Sequence, residues 1–300
     1  MTTVLALGGN ALIRAGDKGT AAEQAARLRE TAEALGPLLR GDVVVTHGNG
    51  PQVGSELLRQ ERAAEEVPPL PLYLAVAQTQ ALIGALIETE LGPSAGRPIA
   101  CLLTHVVVAE DDPAFERPTK PIGPFYSSEQ AHSLERERGW KVIEEHGRGW
   151  RRAVPSPTPL EVVEVEQVRA LIAAGTIPVA CGGGGIPVVR KDGRLSGVDA
   201  VIDKDRASAV LAAALGAERL VILTDVQAVK RSFGTPAEEE IRELTPEQAE
   251  SVLPDLAEGS MRPKVEAAIA MARSGGEAII TALDRVEDAL AGRAGTRVRN

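Results

Sequence analysis

Six short apolar runs punctuate the chain: TVLALGG, DVVVTHGNG, IACLLTHVVV, TIPVACGGGG, RLVILTDVQAV and EAIITAL. Most of them end in a glycine-rich or polar turn. Segments with helical patterning lie between them. AAEQAARLRETAEALGPLLR (21–40) gathers its apolar residues on one face, and LYLAVAQTQALIGALIETEL (72–91) is apolar nearly all round, as a buried helix is. Further helices are expected in EVVEVEQVRALIAAG, DKDRASAVLAAALG and GSMRPKVEAAIAMARSGG. Strands this apolar are covered on both faces, and their alternation with helices points to parallel βαβ units. The expected fold is α/β: a three-layer αβα sandwich around a mainly parallel central sheet, built as a single domain over 1–300. At 300 residues and 44% hydrophobic, the chain has ample material for such a core.

Residues 111–160 break the rhythm. They hold Trp140, Trp150, Phe115, Phe125 and Tyr126, several prolines and many charges, in a chain only 2% aromatic. A long irregular segment inside a compact domain is unusual and often functional. It is read as a small protruding lobe, inserted into the main domain and able to act as a lid. A helix over 236–253 is expected after the stop-and-start signal Gly234-Thr235-Pro236.

The formal net charge of −9 argues against nonspecific nucleic-acid binding. No run of about 18 apolar residues suggests a membrane span. The start MTTVLALGGNAL lacks the basic and long apolar regions of a signal peptide. Cys101 and Cys181 sit in apolar runs, as buried small hydrophobes in a reducing compartment do. A cytoplasmic protein without nucleic-acid or membrane partners is expected.

In a parallel sheet, ligands bind beyond the carboxyl ends of the strands. Three such ends are glycine-rich here: Gly8-Gly9-Asn10, Gly48-Asn49-Gly50, and Gly182, Gly183, Gly184 and Gly185. Each is either an ordinary tight turn or part of a phosphate site, because a residue without Cβ lets a phosphate reach backbone N–H groups. A helix N-terminus beyond the turn would favour the anion. Four successive glycines suggest that something approaches that backbone very closely. No G-x-x-x-x-G-K-[ST] occurs. HGNGPQVG loosely resembles a dinucleotide-binding turn, but Glu65 and Glu66 follow a helix with no strand leading to them, which weakens that reading.

Of 33 basic residues only seven are lysines, leaving 26 arginines, so the lysines that remain draw notice. Lys204, within Asp203-Lys204-Asp205, and Lys264, within Met261-Arg262-Pro263-Lys264, each open an expected helix. Pro263 suits a first helical turn. An exposed lysine is commonly just a solvated charge, but a cation opposes the dipole at a helix N-terminus. A bound polyphosphate would account for both placements. The aspartates serve as helix caps, as holders of Lys204, or as both.

At this point the motifs resemble a known family. VLALGGNAL, VVTHGNGPQVG, PTKPIGPF, GRGWRRAVPSP, ACGGGGIPVV, AVIDKDRASAVLA, LVILTDV and GSMRPKVEAAI resemble, in order and spacing, the carbamate kinases of the amino-acid kinase superfamily, from residue 2 to residue 298. Many amino-acid kinases have a lysine two positions before the first Gly-Gly; this chain has Ala6, as carbamate kinases do. The resemblance implies that Lys120 of PTKPIGPF comes from the lobe to the phosphoryl group instead. It implies the reversible reaction of ATP and carbamate to ADP and carbamoyl phosphate, used toward ATP synthesis. Mg²⁺ would arrive on the nucleotide, held by phosphates and water and not directly by the protein. A homodimer is implied, with helix 72–91 at its interface.

The implied catalytic residues are Lys120, Lys204, Asp205 and Lys264. Gly8, Gly9, Asn10, Gly48, Asn49, Gly50 and Arg148 would bind substrate and phosphate. Gly182, Gly183, Gly184, Gly185, Asp203, Thr224, Asp225, Val229, Phe233 and Met261 would face the nucleotide. The chain departs from the family pattern at Ala81 (for Gly), Phe233 (for Tyr) and Thr235 (for Lys). Two other readings stay open: another phosphotransferase of the superfamily, against which Ala6 and PTKPIGPF argue, and a non-catalytic metabolite-binding regulator. Retention of Lys120, Lys204, Asp205 and Lys264 argues against the regulator, because binding alone needs no transition-state charge.

Overall fold

Alternate residues of the first strand, Thr2–Leu7, enter two different cores: Val4 and Ala6 go to one face of a sheet, Leu5 and Leu7 to the other. The same period of two recurs in Asp42–His47, where Val44 joins the first core and Val43 and Val45 the second. Each strand is therefore covered on both sides. The computed structural model describes residues 1–14, 16–36, 38–145, 149–235, 237–257 and 259–300. Arg148 lies outside them.

The central sheet has eight strands in the order Glu243–Leu244, Thr296–Val298, Glu277–Ala282, Arg219–Thr224, Thr2–Leu7, Asp42–His47, Ile177–Val179 and Ile99–Cys101. Its neighbours run parallel except Glu277–Ala282 with Thr296–Val298, which are antiparallel. Helices Ala21–Leu35 and Leu72–Ala95 cover one face through Leu28, Leu35, Ile83 and Ile87. Helices Val165–Ala173, Lys204–Leu215 and Met261–Arg273 cover the other through Val168, Leu211, Val265 and Met271. The expected three layers around a mainly parallel sheet are thus formed. A four-stranded sheet, ordered Arg194–Gly197, Ile186–Lys191, His105–Val107 and Glu161–Val162, flanks this body.

Within 111–160, the strands Lys120–Tyr126, Gly149–Val154 and Lys141–Glu145 make an antiparallel sheet, with helix Ser128–Arg138 against it. Its rings pack among themselves: Tyr126 meets Trp140 edge-on at 6.1 Å, and His132 lies 4.9 Å from Trp150. Phe115 instead packs on the main core. Glu61, from helix Gly50–Ala63, binds both Arg138 and Arg152 of this unit at 2.5 and 2.9 Å.

Two expectations need correction. The helix predicted over 236–253 spans only Pro246–Val252, because Thr245 caps it and Gln248 completes a reciprocal capping box. Upstream, Glu239–Ile241 pairs antiparallel with Val229–Arg231 as a hairpin. The helix expected over 72–91 runs on to Ala95 and is long and apolar enough, by length and composition, to cross a membrane. Here one of its sides packs on the sheet, while Ala81 and Leu82 on the other are exposed. Ala81 is ordinary helix, so glycine's conformational freedom is not needed there.

Candidate active site

Parallel pairing in register, with Leu7 opposite His47 and Ala6 opposite Ile222, brings the ends of three strands side by side. A cleft of about 700 Å³ opens over them. Gly8, Gly9, Thr224 and Asp225 line it from the strand ends, and Lys204 and Lys264 from the two helix starts. Gly123, Pro124, Phe125 and Arg151 come from the small antiparallel sheet. The Asn10 backbone lies in the short turn Gly9–Ala11 at the same end.

The helix starts carry a chain of ion pairs. Lys204 and Lys264 Nζ both donate to Asp205, the second at 3.0 Å. Lys120 Nζ reaches Asp203 Oδ2 at 2.5 Å, while Asp203 Oδ1 accepts the Asp205 and Arg206 N–H groups and caps the helix. Three lysines against two aspartates leave a net charge of +1 in a cluster whose Lys204, Asp203 and Asp205 are all buried. Burial alone would raise the Asp205 carboxyl and lower the Lys264 ammonium, but the opposite charges prevail: Asp205 stays below, and Lys264 above, its usual range. For Lys204 burial prevails, and its ammonium falls below the usual value. Such a cluster holds a surplus cation ready for a polyanion at the end of the cleft.

Packing fixes these lysines. Ser208 donates to the Lys204 carbonyl and shares a 2.6 Å hydrogen bond with Thr46 of the Asp42–His47 strand. Arg206 makes a two-nitrogen contact with Glu266, tying the helix of Lys204 to that of Lys264. Beneath Gly48, the His47 ring is fully buried, and that burial holds its pKa down to about 4, so the imidazole is neutral.

Several other predicted residues are not among those lining this cleft. All four glycines 182–185 are buried, and added Cβ atoms would strike protein: His47 Nε2 at 2.4 Å from position 182, Asn49 Nδ2 at 2.2 Å from 183, the Ile202 carbonyl oxygen at 2.2 Å from 184, and Val106 at 2.2 Å from 185. The close approach inferred from the sequence is real, but the chain's own side chains and backbone make it. Gln80 braces this turn, donating to the Gly182 carbonyl at 2.9 Å. Asn49 turns inward and donates to Thr79 Oγ1 at 2.9 Å. Both Asp203 oxygens are engaged by Lys120 and the helix cap. Val229 is in the core with its N–H on Thr296, Met261 packs partly on the same core, and Phe233 is 73% exposed on the hairpin loop.

Arg151 was missed. The neighbouring Arg148 drew attention through its flanking glycines, but the strand Gly149–Val154 alternates. Arg151 turns to the cleft, bonded to the Gly123 carbonyl and Glu145 at 2.9 Å each, while Arg152 lies over Trp140 on the other face. Reading GWRRAV as a strand would have separated the two arginines.

The amino acid kinase family model matches residues 1–282. The chain belongs to the amino acid kinase family. Within it the chain falls among the carbamate kinases. The carbamate kinase of Thermococcus kodakarensis is 44% identical over 308 residues, covering 98% of each chain, and that of Halobacterium salinarum is 46% identical over 305 residues, covering 99% of this chain and 97% of the other. The structure of Giardia lamblia carbamate kinase bound to AMP-PNP superposes with a TM-score of 0.89 at 38% identity, covering 99% of this chain and 98% of the other. The citric acid complex of the same enzyme reaches 0.93. In this member of the family, the shared body carries the lysine–aspartate cluster at the strand ends.

Proposed function

We propose that the cleft transfers a phosphoryl group between ATP and carbamate, acting in the cytoplasm and running toward ATP from carbamoyl phosphate and ADP. The observation that carries this reading is the Lys120–Asp203 and Lys204–Asp205–Lys264 cluster, with its surplus positive charge beside the Gly8 and Gly9 backbone. The carbamate kinase names of the relatives, and the ATP analogue in the Giardia enzyme, support the choice of substrates.

Phosphoryl transfer leaves little covalent work to the protein; positioning and charge stabilisation do most of it. Lys204 and Lys264 neutralise the transferring oxygens, and Asp205 holds both ammonium groups in place. Thr224 and Asp225 lie on the nucleotide side. The small antiparallel sheet acts as a lid that delivers Lys120 and, through the cleft wall, Arg151. Excluding water protects a labile mixed anhydride. Mg²⁺ suits this cleft as a passenger of the nucleotide. Among the described residues no three carboxylates, histidines or cysteines gather for a metal, and Asp203 and Asp205 are engaged by lysines. Bound there, it would neutralise phosphate oxygens.

The test is a coupled assay for ATP formed from carbamoyl phosphate and ADP with Mg²⁺. Robust ATP formation is expected. Its absence, with another carboxylate or phosphate accepted as substrate, would move the protein elsewhere in the family; absence with retained nucleotide binding would favour a regulator.

We further propose a homodimer. Leu103, just beyond the sheet's last strand Ile99–Cys101, is 49% exposed. An apolar face beside an open sheet edge is a liability unless covered. Light scattering is expected to give twice the chain mass of 31.5 kDa; a monomer at micromolar concentration would rule the dimer out.

A further inference from the structure

We propose that Gln52 reads the amino group of the carbamoyl substrate and so sets which acyl phosphate the enzyme accepts. The inference deepens the carbamate reading above and rests on it. Gln52 lines the cleft in the first turn of helix Gly50–Ala63 and is only 8% exposed. Two bonds fix its amide. The Gly19 carbonyl can only accept, so Gln24 turns its Nε2 there, at 2.9 Å. Gln24 is left with Oε1 toward Gln52, whose Nε2 donates to it at 2.9 Å. The relay leaves Gln52 Oε1 as a fixed acceptor, buried and without a hydrogen-bond partner among the described residues. A buried acceptor left unmade is costly, which asks for a donor in the working enzyme.

The ligand chemistry follows. The substrate's carboxylate or phosphate end is anionic and suits Lys204, Lys264 and the unbonded N–H groups at the start of this helix. Its other end is an –NH₂, a pure donor. A carboxylate acceptor would repel the anion, and the cleft's own acids are engaged: Glu56 with Arg59, Asp17 with Arg27, Asp225 with Thr224. Thr79 Oγ1 on the same wall already accepts from Asn49 and shares its one hydrogen between the Ala75 and Val76 carbonyls. The neutral carboxamide oxygen of Gln52 accepts from –NH₂ without adding charge. It gains nothing from a methyl group of the same size.

The probe is therefore the pair carbamoyl phosphate and acetyl phosphate, each as phosphoryl donor to ADP. The parent enzyme is expected to favour carbamoyl phosphate in kcat/KM. Gln52→Leu and Gln52→Met should lower that preference roughly tenfold to a hundredfold, the scale of one unpaired buried polar group, with the KM for ADP little changed. Gln24→Leu, which frees the amide of Gln52 to turn, should lower it by a smaller factor. A merely structural role would slow both donors in step. An unchanged preference in a folded Gln52 variant overturns the proposal, as does an unchanged preference in Gln24→Leu if neither Gln52 variant folds. If the parent enzyme uses neither donor, the carbamate reading itself has failed.

Discussion

Lys204→Met is expected to lower kcat by about 10²–10³, the loss typical of removing one preorganised donor from a transition state. That corresponds to roughly 3–4 kcal/mol of barrier. The ammonium is buried, begins a helix and is held by Asp205, so it needs no reorganisation when charge develops on the phosphoryl oxygens. The sequence alone suggests that folding would be little affected, since a lysine is ordinarily solvated. Burial changes that expectation. Removing one partner of a buried pair costs about 3–5 kcal/mol when the other charge is left alone. Here Lys264 stays 3.0 Å from Asp205, so a smaller but measurable drop in Tm is expected. Lys204→Arg should not rescue turnover, because the buried position holds a compact ammonium on Asp205 and a planar guanidinium is larger and places its charge differently. Steady-state kinetics and thermal melts of both variants check this. A kcat within a few-fold of the parent would remove Lys204 from the mechanism.

What was legible in the sequence is what depends on local pattern. Short apolar runs and the glycine turns that follow them marked the strands and the cleft end of the sheet. DKD and MRPK marked the two lysines because charge at a helix start is a local anomaly. What was not legible is where side chains point once elements pack. The tetrad at 182–185 announces close approach, but whether to a ligand or to His47, Asn49, Ile202 and Val106 is decided by strands far away in sequence. Asn49 and Asp203 carry polar groups suited to ligands, yet Thr79 and Lys120 claim them. Val229 heads a strand, and only the pairing of Val229–Arg231 with Glu239–Ile241, together with Thr296 behind it, turns it into the core. EEEIREL reads as helix by composition, but the hairpin pairing overrides propensity there.

Gly54→Ala, a single methyl group away from every ion pair, is expected to lower kcat by about 10²-fold, because an ångström of misplacement at a reacting centre costs that much. A Cβ at position 54 would stand 2.0 Å from both the Cα and the N of Gly123. These are backbone atoms of the strand Lys120–Tyr126 and cannot swing aside as a side chain does. Gly123 also holds φ at +78°, a conformation that restricts what may replace it. The small sheet must therefore back away from helix Gly50–Ala63, and Lys120, three residues upstream in the same strand, moves with it. Its bond to Asp203 is the measure of correct seating. Lys120→Ala is expected to lower kcat by about 10²–10³. Both variants should leave ADP affinity nearly unchanged, because Lys264, Thr224 and Asp225 stand on the main body. Combining them should cost little more than Lys120→Ala alone, since displacing a lysine that is already absent removes nothing further. Turnover and ADP binding of the three proteins decide the matter. If the double variant multiplies the two losses, Gly54 acts by some route other than Lys120. If Lys120→Ala weakens ADP binding as much as turnover, Lys120 belongs to the nucleotide site and the lid assignment fails.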